Sequence, residues 1–368
     1  PPLAEEDPPT KIDERKIPRT AHAPAVSYLL KLPPEYHHGR SYPLLIVLHK
    51  AGESPRKMLE RFADKAKEEG YILAAPNWAR GGIGGDYGYS ADEHDVVLRT
   101  LRDLRLRFNV DSDRVFLTGL GEGGDMAYDV GLSHPDLFAG VLPMSADPKY
   151  FIIRYWANAQ YLPFYIVGGS HTGDPDKTTR KLFEKWIPHS NAPKDGHPGR
   201  YASLYVQYKG RGREWFGGEL PSMFDWMNRK RRVTPIADLG RIGGDLGDEF
   251  ASMRETDNHF YWLSGEISQR HVNQVPRWDN KIFPARLVGR LDPGTNQLFL
   301  YPTGYRNVTV WLARDAKIDF DKPLKVWVNG KRALGDQKVK PSLTVLLDDF
   351  AARGDRQKLF ISRFDFRP

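Results

Sequence analysis

R-V-F-L-T-G-L-G-E-G-G-D-M-A-Y, from Arg114 to Tyr128, decides the fold. Arg114 to Thr118 is a short β-prone run rich in β-branched and aromatic residues. Gly119, Gly121, Gly123 and Gly124 crowd the turn that follows, and Asp125, Met126 and Ala127 enter a helix that continues to about Leu132. A strand turning this sharply into a helix is the backbone geometry with which G-x-S-x-G sequences raise a nucleophilic hydroxyl. Here the middle position is Gly121, so the turn is present and the hydroxyl is not.

Outward from this elbow, apolar runs alternate with amphipathic segments. Ala25–Leu32, Tyr42–His49, Tyr71–Ala75, Leu137–Met144, Leu162–Gly168 and Ala202–Tyr208 read as strands. The unbroken apolar run Tyr42–His49 fits a strand buried on both faces of a parallel sheet. Pro55–Glu69 has helical spacing, with Met58, Leu59, Phe62, Ala63 and Ala66 on one face and Gly70 as its stop. Ser90–Phe108 is a helix opened by a capping box, Ser90 with Glu93. Asp176–Trp186 and Leu220–Met227 supply two more helices. The alternation predicts a doubly wound α/β sheet of about seven or eight mostly parallel strands.

The pattern changes after Arg232. Ile236–Glu249 is rich in glycine and aspartate. From His259 onward the chain reads as short strands: His259–Ile267, Ala285–Leu291, Gln297–Tyr301, Val308–Ala313, Leu324–Val328, Thr344–Leu347 and Leu359–Phe364. Asn329-Gly330 is a hairpin signal between two of them. The expected organisation is a proline-rich arm (1–23), an α/β domain (24–235), a connector (236–258) and a smaller β-rich, sandwich-like domain (259–368).

Composition narrows the function classes. The 368-residue chain has no cysteine, which excludes disulfides, thiolate metal sites and a cysteine nucleophile. No apolar run is long enough to span a bilayer. No secretory signal is visible at Pro1, which fits a processed or truncated start of an exported or periplasmic protein as well as other compartments. The formal charge of +7 is not gathered on one element. The densest cationic run, Arg229-Lys230-Arg231-Arg232, closes a predicted helix and complements its dipole, so it reads as a solvated helix end rather than a nucleic-acid site. No zinc-type spacing and no phosphate-binding glycine loop is present, and no cofactor or metal is expected.

Elbow, preceding helix and first strands resemble the α/β-hydrolase superfamily in its esterase and prolyl-oligopeptidase-like branch. More closely, the chain resembles planctomycete-type bacterial hydrolases with a β-rich C-terminal region. The resemblance rests on Tyr87–His94 (Y-G-Y-S-A-D-E-H), Phe108–Thr118 (F-N-V-D-S-D-R-V-F-L-T), His134–Ala139 (H-P-D-L-F-A), Phe224–Met227 (F-D-W-M) and the C-terminal W-V-N-G and R-G-D-R-Q segments. It implies an acyl hydrolase with nucleophile, acid and base in that chain order.

The positions that the resemblance assigns to this machinery carry other residues. Gly121 stands at the nucleophile, and Glu122 follows it as a carboxylate favoured by the helix N-terminus. The base position, in Gly210-Arg211-Gly212-Arg213-Glu214, holds Arg213, which stays protonated and cannot accept a proton. The acid position falls on Thr172, with Asp174 two residues on. The oxyanion loop reads His49-Lys50-Ala51-Gly52 rather than a run of glycines. Changes at nucleophile and base together fit lost selection for catalysis. The leading expectation is therefore a pseudoenzyme acting as a binding or structural module, with a small anionic, acyl or sugar ligand in the vacated pocket, near Trp78, Trp215 and Phe216. A non-standard hydrolase site built from Ser170, His171 and Asp174 is the enzyme alternative. A scaffold that meets a protein partner through the β-rich domain or the N-terminal arm is the third. The aromatic run His259–Trp262 reads as a core face more readily than as an interface.

Overall fold

The continuous apolar run at Tyr42–Leu48, buried at every residue, forms the spine of an eight-stranded sheet. The structure is a computed structural model describing residues 11–21, 23–79, 85–190, 199–233, 248–292 and 294–368. Residues 1–10 of the expected arm and 236–247 of the expected connector lie outside the described residues.

The strands are β1 (Asp13–Ile17), β2 (Val26–Lys31), β3 (Tyr42–Leu48), β4 (Ile72–Pro76), β5 (Val110–Leu120), β6 (Gly140–Met144), β7 (Tyr165–Gly169) and β8 (Leu204–Tyr208). Their order is β1-β2-β4-β3-β5-β6-β7-β8. Only β2 runs against the rest. This order, with one reversed strand, is the α/β-hydrolase sheet.

Helices α1 (Pro55–Glu68), α2 (Ala91–Arg107), α3 (Glu122–Ser133), α4 (Phe151–Arg154), α5 (Asp174–Trp186) and α6 (Leu220–Asn228) cover it. Met58, Leu59 and Phe62 of α1 pack with Met223, Phe224 and Met227 of α6 on one face. Val97, Leu101 and Leu104 of α2, Met126 and Val130 of α3 and Leu182 and Trp186 of α5 pack on the other. The helix starts read at Pro55 and Ser90 are realised. Ser54 accepts the Lys57 amide with Pro55 in the first turn of α1, and Ser90 and Glu93 close a full capping box on α2. No described helix is long and apolar enough to cross a membrane.

Register places the site. Leu48 of β3 pairs with Gly119 of β5, and Leu120 of β5 with Met144 of β6. The loops after these strands therefore leave from one edge of the sheet. Glycine is required where α3 springs from β5. A Cβ on Gly119 would run into the Gly123 carbonyl, and one on Gly123 into the carbonyls of Leu48 and His49. The elbow is tight because the first turn of the helix lies directly on the ends of β3 and β5.

The second region holds β9 (Asp248–Ser252), β10 (His259–Phe260), β11 (Leu263–Ile267), β12 (Ala285–Asp292), β13 (Gln297–Thr303), β14 (Tyr305–Ala313), β15 (Pro323–Val328), β16 (Lys331–Lys338), α7 (Leu343–Arg353) and β17 (Phe360–Phe366). They form sheets of order β10-β11-β14-β17 and β16-β15-β13-β12-β9 that share one core, with Trp262, Leu287, Leu300, Val310 and Val326 fully buried. The aromatic run is core: Phe260, Tyr261 and Trp262 are buried. Asn329 and Gly330 take positive φ of 49° and 77° and turn β15 into β16, as their dipeptide implies.

Four sequence expectations change. β1 lies inside the stretch read as an arm, because alternating Asp13–Ile17 pairs along β2 and forms the edge of the sheet. β9 lies inside the expected connector and edges the five-stranded sheet through β12. Thr344–Leu347, expected as a strand, belongs to α7. Ser342 caps its start by accepting the Val345 amide, and Gly354 ends it at φ 62°. These end signals outweigh the β-branched residues between them. Finally, Arg232 is not on a solvated helix end. It is buried, donating to Asp113 at 2.9 Å and Asp355 at 2.6 Å, and so ties the two regions together.

Candidate functional site

The elbow is formed. Gly121 sits between β5 and α3 at φ 58°, ψ −120°, with its amide donating to Met144 O at 3.0 Å and its carbonyl accepting from the Asp125 amide at 2.9 Å. A Cβ placed on Gly121 lies 3.2 Å from Lys50 Cβ, so Lys50 stands directly over the tip. Around it opens a cleft of about 300 Å³ lined by Lys50, Ala51, Arg61, Gly121, Glu122, Ser145, Arg213, Glu214 and Trp215.

β3 delivers the loop His49–Gly52. The Ala51 amide donates to Glu122 Oε2 at 3.1 Å. An amide of this loop is one of the two donors that an α/β-hydrolase aims at an oxyanion. Here a carboxylate of the chain itself occupies it, beside the N-terminus of α3, where negative charge is favoured. His49 lies behind the cleft. Its ring stacks on Trp78 with centroids 5.1 Å apart, its Nδ1 contacts Lys50 O at 3.0 Å, and burial pushes its pKa down.

β8 delivers Arg213. Its Nε donates to Ser145 O at 3.2 Å, and its Nη2 stands 3.9 Å from Glu122 Oε1, a loose pair. The Arg213 side chain is 39% exposed and so stands at the mouth of the cleft rather than locked in its wall. The remaining lining charges are neutralised locally. Arg61 makes a two-pronged contact with Glu53 at 2.7 and 3.0 Å, and Arg211 another with Glu214 at 2.7 and 2.6 Å. Lys50 has no ion-pair partner among the described residues, and its exposed ammonium is the uncompensated charge of the cleft.

β7 delivers Ser170–Asp174. Thr172 Oγ1 donates to Gly169 O at 3.1 Å, Ser170 Oγ accepts the Gly210 amide at 2.9 Å, and the His171 amide donates to Arg211 O at 2.8 Å. Asp174 points to solvent, 90% exposed, and pairs with Lys177 at 3.3 Å. The side chains of Ser170, His171 and Asp174 make no hydrogen bond to one another, so they are loop-forming groups. The structure thus gathers Gly121, Glu122, Lys50, Ala51 and Arg213, and leaves Thr172, Asp174, Ser170 and His171 outside the cleft lining.

Two features escaped the sequence reading. Asp125, in the first turn of α3, is buried and accepts the Asp147 amide. Burial pushes its pKa up to about 8, against the opposing pull of that amide and of Arg213. The second lies between the two regions, where Arg254 clamps Asp129 at 2.6 Å and Asp257 at 2.7 Å beside His94. Only the Arg254-x-x-Asp257 spacing was visible in the sequence; its partners on α2 and α3 are more than a hundred residues away.

No protein-family profile matches the chain. Among solved structures, the chain is similar to a thermostable esterase (17% identity, 60% of this chain and 63% of that one, TM-score 0.47). It is also similar to a ferulic acid esterase (18% identity, 60% and 98%, TM-score 0.47). A third is a chain assigned as a dipeptidyl aminopeptidase IV from Bacteroides ovatus (13% identity, 60% and 35%, TM-score 0.46). The chain spans less than two thirds of the first and about a third of the third. The fold stands on its own strand order and elbow, described above.

Proposed function

We propose that this α/β-hydrolase-fold protein is a binding module whose cleft takes a small anionic ligand, a carboxylate or an acidic sugar, and that it does not hydrolyse acyl bonds. The observation that carries this reading is the pair of residues facing the cleft where chemistry would need a hydroxyl and an imidazole: Gly121 at the elbow tip and Arg213 at the mouth. Glycine offers no nucleophile. A guanidinium holds its protons at working pH and recognises carboxylates in a planar, two-pronged way. Unpaired Lys50 adds attraction, and Glu122 on the Ala51 amide marks the carboxylate position that a ligand would share or take over. That carboxylate also opposes the charge that develops in acyl transfer.

Isothermal titration calorimetry with uronates, short carboxylates and matched neutral sugars tests this. Saturable binding of anions alone is expected, weakened at least tenfold in Lys50→Met and in Arg213→Gln and reduced by salt. Equal binding of neutral analogues, or anion binding indifferent to both substitutions, would sink the reading.

A further inference from the structure

Away from the cleft, α2, the end of α3 and the loop after β9 bring together His94, His134 and Asp257. They are 1%, 8% and 0% exposed. One donor atom from each lies within 4.8 Å of those of the other two. His94 Nδ1 and His134 Nε2 are buried and have no hydrogen-bond partner. Asp257 divides its oxygens. Oδ2 accepts from Arg254 Nε at 2.7 Å, the Tyr155 hydroxyl at 2.9 Å and Ser133 Oγ at 3.2 Å. Oδ1 has one long contact, from the Thr256 hydroxyl at 3.4 Å, and faces His94 Nδ1 at 4.0 Å.

The surroundings fix how these groups present themselves. His94 Nε2 lies 3.0 Å from Asp129 Oδ2. Tyr87 Oη at 2.9 Å and Arg254 Nη1 at 3.2 Å crowd the same nitrogen, so Nε2 is fully engaged and the free Nδ1 faces Asp257. A carboxylate holding the far nitrogen of a histidine is the usual support for a metal-binding ring. Two carboxylates, Asp129 and Asp257, share the single guanidinium of Arg254, which leaves one negative charge inside the cluster. Buried polar atoms are as a rule satisfied. Two unpartnered imidazole nitrogens and a nearly free carboxylate oxygen that converge in the interior are a donor set suited to a cation.

We propose that His94, His134 and Asp257 form a binding site for one divalent transition cation of the zinc type, which staples the β-rich region to α2 and α3. Two nitrogens and one oxygen suit zinc or cobalt, whereas magnesium and calcium prefer all-oxygen shells. Metal bonds of roughly 2.0–2.1 Å set tetrahedral donors about 3.4 Å apart, so binding draws the three side chains inward by about an ångström. The fourth position is left to solvent.

The test uses the whole chain, stripped with chelator and titrated with Co²⁺ and then Zn²⁺. The expected result is one equivalent of Co²⁺ with the intense visible absorption of a tetrahedral site, displaced by Zn²⁺, and a Zn²⁺-dependent rise in Tm of about 3 °C or more. In His134→Gln the absorption is lost and Zn²⁺ affinity falls at least tenfold. Should that variant fold poorly, the wild-type spectrum and stoichiometry still decide. No binding, a pale octahedral spectrum, or binding unchanged in a folded His134→Gln overturns the proposal.

Discussion

Gly121→Ser restores the missing hydroxyl at a backbone position that resists it. With φ 58° and ψ −120°, residue 121 occupies a conformation open to glycine and strained for other residues. Strain of this kind costs about 1–3 kcal/mol. The new Cβ also meets Lys50 Cβ at 3.2 Å, which asks Lys50 to move by a few tenths of an ångström. Serine lowers the entropy of the unfolded chain relative to glycine, which returns roughly 0.4–1 kcal/mol. The net expectation is a loss of about 1–2 kcal/mol, or roughly 2–8 °C in Tm for a domain of this size. Calorimetry and urea titration at constant m measure it. Gly218→Ser is the control: nothing lies within 4 Å of its added Cβ and its φ is ordinary, so it stays within about 0.5 kcal/mol. If Gly121→Ser is as stable as the unaltered chain while the control behaves, the elbow is not strained, and glycine there is not explained by release from a catalytic constraint.

Three other outcomes follow from the same contacts. Arg232→Met leaves Asp355 buried beside Arg105 without its 2.6 Å partner and is expected to cost about 3–5 kcal/mol in urea unfolding; a loss under 1 kcal/mol would mean the clamp is dispensable. Asp125 has a folded pKa raised to about 8, mainly by burial, so the folded state holds its proton where the unfolded chain releases it. Its stability contribution is full below about pH 4 and is lost as pH rises to 8, with a slope of about 1.4 kcal/mol per pH unit in between. Asp125→Asn, which keeps an acceptor for the Asp147 amide, should flatten the pH 5–8 stability profile, and an unchanged slope refutes this. Gly330→Ala meets nothing within 4 Å but must adopt φ 77°, so a loss of about 1 kcal/mol from backbone strain alone is expected in thermal melts.

Much of this fold was legible because its signals are local. The run Tyr42–Leu48 and the apolar stripe of α1 each bury what their period assigns inward, and the Ser90–Glu93 box starts α2 where it was read. The elbow glycines were legible for the same reason, since a close backbone crossing admits no side chain. Long-range pairing hid the rest. β1 and β9 are short, mixed in polarity and defined by their partners β2 and β12. Arg232 looked like a solvated helix end until Asp355, far along the chain, came to cover it. At the site, sequence named Gly121, Lys50, Ala51, Glu122 and Arg213 as pocket positions, and His49, which lies behind the cleft. It gave no hint that Glu122 would turn its carboxylate onto the Ala51 amide, because that contact depends on the approach of the loops after β3 and β5. The charged cluster around Arg254 was invisible for the same reason, as its members come from α2, α3 and the loop after β9.

The most direct measurement is fluorophosphonate labelling, with p-nitrophenyl acyl ester turnover, of the unaltered chain beside Gly121→Ser/Arg213→His. No label and no turnover above background on the chain as it stands, with label appearing on the double variant, is the outcome expected of a binding cleft on an intact elbow. Label on the unaltered chain, or saturable ester turnover by it, would contradict the proposal that this cleft binds rather than hydrolyses.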